Sequence, residues 1–97
     1  MPVHAVFTYD ITDPERYAKY NPGNLSVVGS TVAKHGGEFI FAGPATYVEG
    51  QAKMANVCIR FPTMDAFKGW SDDPEYGAIK GDRVESSNNY TVFLVES

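Results

Sequence analysis

The tripeptide Asp-Pro-Glu occurs twice in this chain, at Asp13-Pro14-Glu15 and again at Asp73-Pro74-Glu75. Each copy is a helix start. Aspartate can cap, proline fits the first helical position, and glutamate faces the positive end of the helix dipole. Two helical regions are thereby placed, and the segments around them must be of another kind. Before the first, Val3, Ala5, Phe7 and Tyr9 alternate with His4, Val6 and Thr8, which predicts a strand over Val3–Tyr9 with apolar groups on both faces.

The first helical region carries Tyr17 and Tyr20 and is interrupted at Asn21-Pro22-Gly23-Asn24, where proline disfavours helical geometry in the residue before it. Helical spacing resumes at Leu25, Val28 and Val32, and His35-Gly36-Gly37 ends it with a glycine cap. Glu38–Ala42 reads as a second strand. Gly43-Pro44 breaks it, Thr46-Tyr47-Val48 is expected to continue the ribbon, and Glu49-Gly50 marks a turn. Val57, Ile59 and Phe61 alternate with Asn56, Cys58 and Arg60 to give a third strand. Thr63 then caps a helix bearing Ala66, Phe67 and Trp70. After the second Asp-Pro-Glu, Tyr76, Ile79 and Arg83 share one helical face, and Tyr90–Val95 is the last strand.

The resulting order is β-α-β-β-α-β, the ferredoxin-like arrangement of an α+β fold, in a single domain over residues 1–97. A chain this short buries only about 60–65% of the surface that its unfolded form exposes. Its core is thin, and the sheet face without helices carries Phe, Val and Ile beside polar groups. A second copy packed sheet to sheet is the simplest cover, so a homodimer through the sheet faces is expected.

Twelve acidic against eight basic residues leave a formal charge of −4, with no lysine or arginine cluster. That balance argues against nucleic acid, whose binding draws on a basic patch, and against anionic membrane surfaces. No apolar run approaches the roughly 20 residues that span a bilayer. Met1-Pro2-Val3-His4 lacks the basic and apolar regions of a signal peptide, and the lone Cys58 allows no internal disulfide, so a cytoplasmic setting is expected.

Arg83 is the foremost candidate for binding. Its planar fork of donors suits a carboxylate or phosphate, and its helical face points it toward the sheet. It either holds an anionic ligand or pairs with an acid such as Glu49. Glu49 can act as a general base where burial raises its pKa, or remain a turn carboxylate. His35 can shuttle protons, or serve the helix end electrostatically. His4 is a weaker candidate, and the two histidines with no acid at ligand spacing argue against a metal site. Tyr17, Tyr20, Trp70 and Tyr76 can line a pocket for a flat apolar ligand, with Tyr20 beside the Pro22-Gly23 break and Trp70 equally suited to the core. Cys58 reads as a small core residue. No Ser-His-Asp order, phosphate-cradling loop or dinucleotide fingerprint is present.

Asp13-Pro14-Glu15 with Tyr17 and Tyr20, then His35-Gly36-Gly37, Glu49-Gly50, Phe61-Pro62, Trp70, Pro74-Glu75-Tyr76 and Arg83, in that order, resemble the family called domain of unknown function 1330, within the dimeric α/β-barrel superfamily. The resemblance implies a ferredoxin-like fold, a homodimer with face-to-face sheets, and a cleft between sheet and helices. Relatives elsewhere in that superfamily include cofactor-free monooxygenases of aromatic polyketides, lactone isomerases, dehalogenating enzymes and haem proteins. Two departures from the family pattern stand out. Pro22-Gly23 falls where the first helix generally continues, and Arg60 falls where an acid is common. The expectation is a small-molecule enzyme with no cofactor, acting on an organic acid or aromatic compound. Arg83 would anchor an anionic group, Glu49 or His35 would move a proton, and Tyr20, Trp70 and Tyr76 would shape the pocket. The alternative is a non-catalytic ligand-binding or structural homodimer.

Overall fold

Both Asp-Pro-Glu segments begin helices in the computed structural model, which describes residues 1–97. The order is β1 (Val3–Ile11), α1 (Pro14–Tyr20), α2 (Leu25–Lys34), β2 (Glu38–Gly43), β3 (Ala55–Phe61), α3 (Met64–Ser71), α4 (Pro74–Val84) and β4 (Ser87–Glu96). The Asp13 side chain accepts from the Arg16 amide, Thr63 from Ala66, and Asp73 from Glu75. These caps satisfy amides that the first turn of a helix leaves without partners.

Each helical region is split in two. Gly23 allows the first break, because a Cβ there would lie 2.5 Å from the Lys19 carbonyl oxygen. Gly36, at φ +77°, ends α2 in the conformation that glycine adopts at least cost.

The four strands form one antiparallel sheet in the order β2-β3-β1-β4, the ferredoxin-like topology. Val3, Ala5, Phe7 and Tyr9 of β1 and Ile59 and Phe61 of β3 face the helices, where they pack with Val28, Val32, Trp70, Tyr76 and Ile79. Trp70 is 2% exposed. Its ring meets Phe7 edge-on and lies 4.2 Å from that of Tyr76, and its indole N–H donates to Thr31 Oγ1 at 3.2 Å.

Strand register sorts the other face into rows. Phe41, Cys58, Val6 and Phe93 are paired neighbours and form an apolar row across all four strands. On one side of it runs Glu38, Arg60, His4 and Val95, and on the other Gly43, Asn56, Thr8 and Thr91. Phe41 and Phe93 stand half exposed, and no helix covers this face. Arg60 belongs to it, with Nη1 3.4 Å from Glu38. No helix is long and apolar enough to cross a membrane.

Two boundaries differ from those expected. Thr46-Tyr47-Val48 is not a strand; residues 44–54 form an irregular loop. Pro44 has no N–H for a ladder, and the Tyr47 hydroxyl donates to Asn56 Oδ1 at 2.5 Å, a side-chain tie to β3 in place of strand pairing. β4 starts at Ser87, not Tyr90, because a register shift between Thr8 and Asp10 lets β1 continue and pair Asp10 with Asn88 and Ile11 with Ser87.

Candidate functional site

Proline at its first position and the Asp73 cap fix where α4 begins, and helical spacing then turns Tyr76, Ile79 and Arg83 onto the buried face. Arg83 lies in the last turn, where a cation is favoured by the dipole. Its main-chain carbonyl accepts from the Tyr90 hydroxyl at 2.9 Å and from Ser87, which ties this turn to β4.

The Arg83 side chain is only 7% exposed. Its guanidinium carbon sits 5.7 Å from the Phe7 ring centre, 5.6 Å from Tyr9 and 5.5 Å from Tyr90. Nε and Nη1 are buried without any hydrogen-bond partner. Burial works against the charge, and the surrounding tyrosines, Tyr76, Tyr20, Tyr90 and Tyr9, outweigh it, so the pKa is raised. An arginine in this setting remains a cation. It is a buried charge with no anion beside it, an arrangement that costs free energy unless something completes it.

Around it the phenols pair with one another. The Tyr9 and Tyr17 hydroxyl oxygens are 2.8 Å apart, and those of Tyr20 and Tyr76 are 3.0 Å apart. Burial, reinforced by the neighbouring tyrosine, pushes the Tyr9 and Tyr20 phenols far up from their ordinary value, so both stay protonated.

A cleft opens against these groups between sheet and helices. Phe7, Tyr9, Val57 and Ile59 form its floor, and Tyr17, Tyr20, Val28, Trp70, Tyr76 and Arg83 its helical walls. Leu25 and Phe39, both close to half exposed, stand at the edge. The narrow interior holds about 60 Å³, well below the roughly 300–1,000 Å³ of small-molecule sites, so only a compact group fits it.

The structure brings together Arg83, Tyr20, Tyr76 and Trp70, with Tyr17 beside them. It does not bring Glu49 or His35 to the cleft. Glu49 is exposed in the 44–54 loop, and the Arg83–Glu49 ion pair does not form within the chain. His35 caps α2, with Nε2 2.7 Å from Asp73 Oδ2; Lys34 Nζ reaches the same oxygen at 2.9 Å. Together with the Glu75 amide these groups hold the Asp73 carboxyl well below its ordinary range. The cluster joins the end of α2 to the start of α4. His4 lies on the open sheet face, Nδ1 3.2 Å from Ser97 Oγ. Cys58 is buried on that face, and burial pushes its thiol up, which makes it unreactive. Arg60 also faces away from the cleft, so it does not alter the charge met there. No group of three His, Cys, Asp or Glu side chains is placed to hold a metal ion.

Sequence reasoning missed Tyr9, Phe7 and Phe39. Tyr9 ends an alternating strand and reads as ordinary core; only the distant Arg83 and Tyr17 give it a polar role. The chemistry available is binding of acceptor oxygens and stabilisation of negative charge on them. No carboxylate lines the cleft to act as a base.

A family model described as a domain of unknown function, DUF1330, matches residues 2–97. No curated protein matches the chain by sequence. Among solved structures, a protein of unknown function from Rhodopseudomonas palustris is 16% identical with a TM-score of 0.81, over 99% of this chain and 82% of the other. A dimeric ferredoxin-like protein of unknown function from Jannaschia sp. is 15% identical with a TM-score of 0.78, over the whole of both chains. SnoaB, a cofactor-independent oxygenase from Streptomyces nogalater, is 13% identical with a TM-score of 0.65, over 99% of this chain and 92% of the other. At these identities the likeness is one of fold.

Proposed function

The chain belongs to the DUF1330 family, and we propose that it is a small-molecule enzyme that works without a bound cofactor on an organic acid or aromatic compound. Arg83 holds the anionic oxygen of that compound at the inner end of the cleft. Tyr20 and Tyr76 contact its polar edge, and Trp70 forms the wall against its flat face. The observation that carries this is Arg83 itself: a cation that lines an aromatic cleft and has two buried, unpaired nitrogens. An anionic ligand would supply the partner that the chain withholds, and a fixed cation there would stabilise an enolate or other oxyanion forming on the ligand. The cofactor-independent oxygenase among the structural neighbours acts within the same fold, which supports the reading by analogy only.

The apolar row Phe41-Cys58-Val6-Phe93, with Phe41 and Phe93 half exposed, supports a homodimer joined through the open sheet faces. Solved neighbours described as dimeric ferredoxin-like proteins point the same way.

One observation favours a second reading, a ligand-binding protein without catalysis: Glu49 and His35, the candidate proton carriers, lie outside the cleft. Thermal shift with phenylacetate and its uncharged counterpart phenylacetamide, on wild type and Arg83→Met, tests the anchoring. Phenylacetate alone should stabilise wild type, and neither compound should stabilise the variant. Equal effects of acid and amide would refute the role of Arg83. A panel of aromatic acids incubated with protein in air and analysed by mass spectrometry then separates the two readings. A new product that requires Arg83 supports the enzyme, and unchanged recovery of every acid that binds supports the binding protein.

A further inference from the structure

Each tyrosine pair lining the cleft leaves one O–H without an acceptor. In a hydroxyl pair one O–H donates to the other oxygen, and the accepting hydroxyl keeps a hydrogen of its own. The pairs Tyr9–Tyr17 and Tyr20–Tyr76 therefore carry one surplus O–H donor each, and neither hydroxyl pair has any further partner in the protein. Arg83 adds the buried Nε and Nη1 donors, also unpartnered. On the accepting side, no carboxylate lines the cleft, and the amide of Asn21 is at its exposed rim. Tyr9 and Tyr20 supply no negative charge, because burial keeps both protonated.

We infer that the ligand is a compact aromatic oxo acid, whose carboxylate meets Arg83 while a separate carbonyl oxygen accepts from a surplus tyrosine hydroxyl. This rests on the anchoring role proposed for Arg83 and goes further, by requiring a second, uncharged acceptor and by excluding an amine. An ammonium group would find no anion in the cleft and would be repelled by the guanidinium. A carbonyl oxygen, with two lone pairs and no hydrogen, fits what the tyrosines leave open.

Three compounds of similar size separate these requirements: phenylacetate has the acid alone, benzoylformate adds the oxo group, and phenylglycine adds an ammonium. Affinities are measured by calorimetry on wild type, Tyr20→Phe/Tyr76→Phe and Tyr9→Phe/Tyr17→Phe, the paired changes being needed because a single phenylalanine leaves the other hydroxyl free to donate. Benzoylformate should bind wild type about 3–10-fold more tightly than phenylacetate, the worth of one net hydrogen bond, and phenylglycine should bind more weakly than either. At least one double variant should lose the benzoylformate advantage, read as the ratio of the two affinities within each protein. Benzoylformate no tighter than phenylacetate, or an advantage that survives in both double variants, would overturn the inference while leaving the Arg83 anchor intact. Failure of wild type to bind phenylacetate at all would instead remove the anchor, and the oxo-acid inference with it.

Discussion

Replacing Arg83 with methionine should make the ligand-free protein more stable, not less. The side chain is buried, and two of its nitrogens have no partner. Taking an ion out of water costs several kcal/mol even after the surroundings relax, and replacing buried ionic groups by apolar ones of similar volume commonly stabilises by about 1–4 kcal/mol. Two terms offset this gain. The rings of Phe7, Tyr9 and Tyr90 lie 5.5–5.7 Å from the guanidinium carbon, near the outer limit of cation–π attraction, where each contributes at the lower end of about 0.5–2 kcal/mol. The dipole of α4 adds about 0.3–1 kcal/mol. Methionine keeps most of the aliphatic packing, since its flexible chain fills irregular gaps. Set against the upper half of that range, these terms leave a gain of about 0–2 kcal/mol, and each kcal/mol moves Tm by about 4–8 °C in a domain of this size. Scanning calorimetry at one protein concentration reads it directly, with concentration fixed because dimer formation also shifts Tm. A Tm for Arg83→Met several degrees below wild type would show that Arg83 supports the fold as it stands, and the argument for a missing anion would collapse.

Trp70→Ala should lower stability by about 3–5 kcal/mol, the usual cost of emptying a buried tryptophan site; an unchanged Tm with lost ligand binding would leave Trp70 its place in the cleft wall and remove it from the core. The pH dependence should trace to Asp73. Its pKa is depressed by His35, Lys34 and the Glu75 amide, so its contribution is complete above the ordinary carboxylate value of 3.8 and shrinks as pH falls below it. Asp73→Asn keeps a residue able to cap α4 and should flatten that acid limb in urea unfolding followed from pH 6 to pH 2; an unaltered slope would exonerate the cluster. Phe93→Glu, in the apolar row of the open face, should yield a monomer by light scattering at micromolar concentration, and a mass unchanged from that of a wild-type dimer would move the interface elsewhere.

Much of the fold is legible in the sequence because it rests on local chemistry. Asp13, Thr63 and Asp73 each cap the helix they precede, and alternation along Val3–Tyr9 and Val57–Phe61 gives strands with the expected faces inward. Where local signals mislead, a distant partner decides. Asn88 and Asn89 resemble a turn, yet the continuation of β1 past its bulge pairs Asn88 into the sheet. Thr46-Tyr47-Val48 has strand-like residues, but Tyr47 is claimed by Asn56 and no strand runs alongside. The site divides in the same way. The helical face of Arg83 and Tyr76 follows from spacing alone, so their burial could be read. The absence of any acid beside Arg83 could not, because Glu49 belongs to a loop whose path no short pattern sets. His35 likewise has its partner, Asp73, on another helix.

The most direct measurement is a crystal structure of the protein with the tightest-binding aromatic acid. The carboxylate oxygens should lie about 2.7–2.9 Å from guanidinium nitrogens of Arg83, the spacing of charge-assisted hydrogen bonds, with the ring between Trp70 and the sheet. An acid bound elsewhere, or a cleft in which Arg83 is already paired with a carboxylate from the second subunit, would contradict the account.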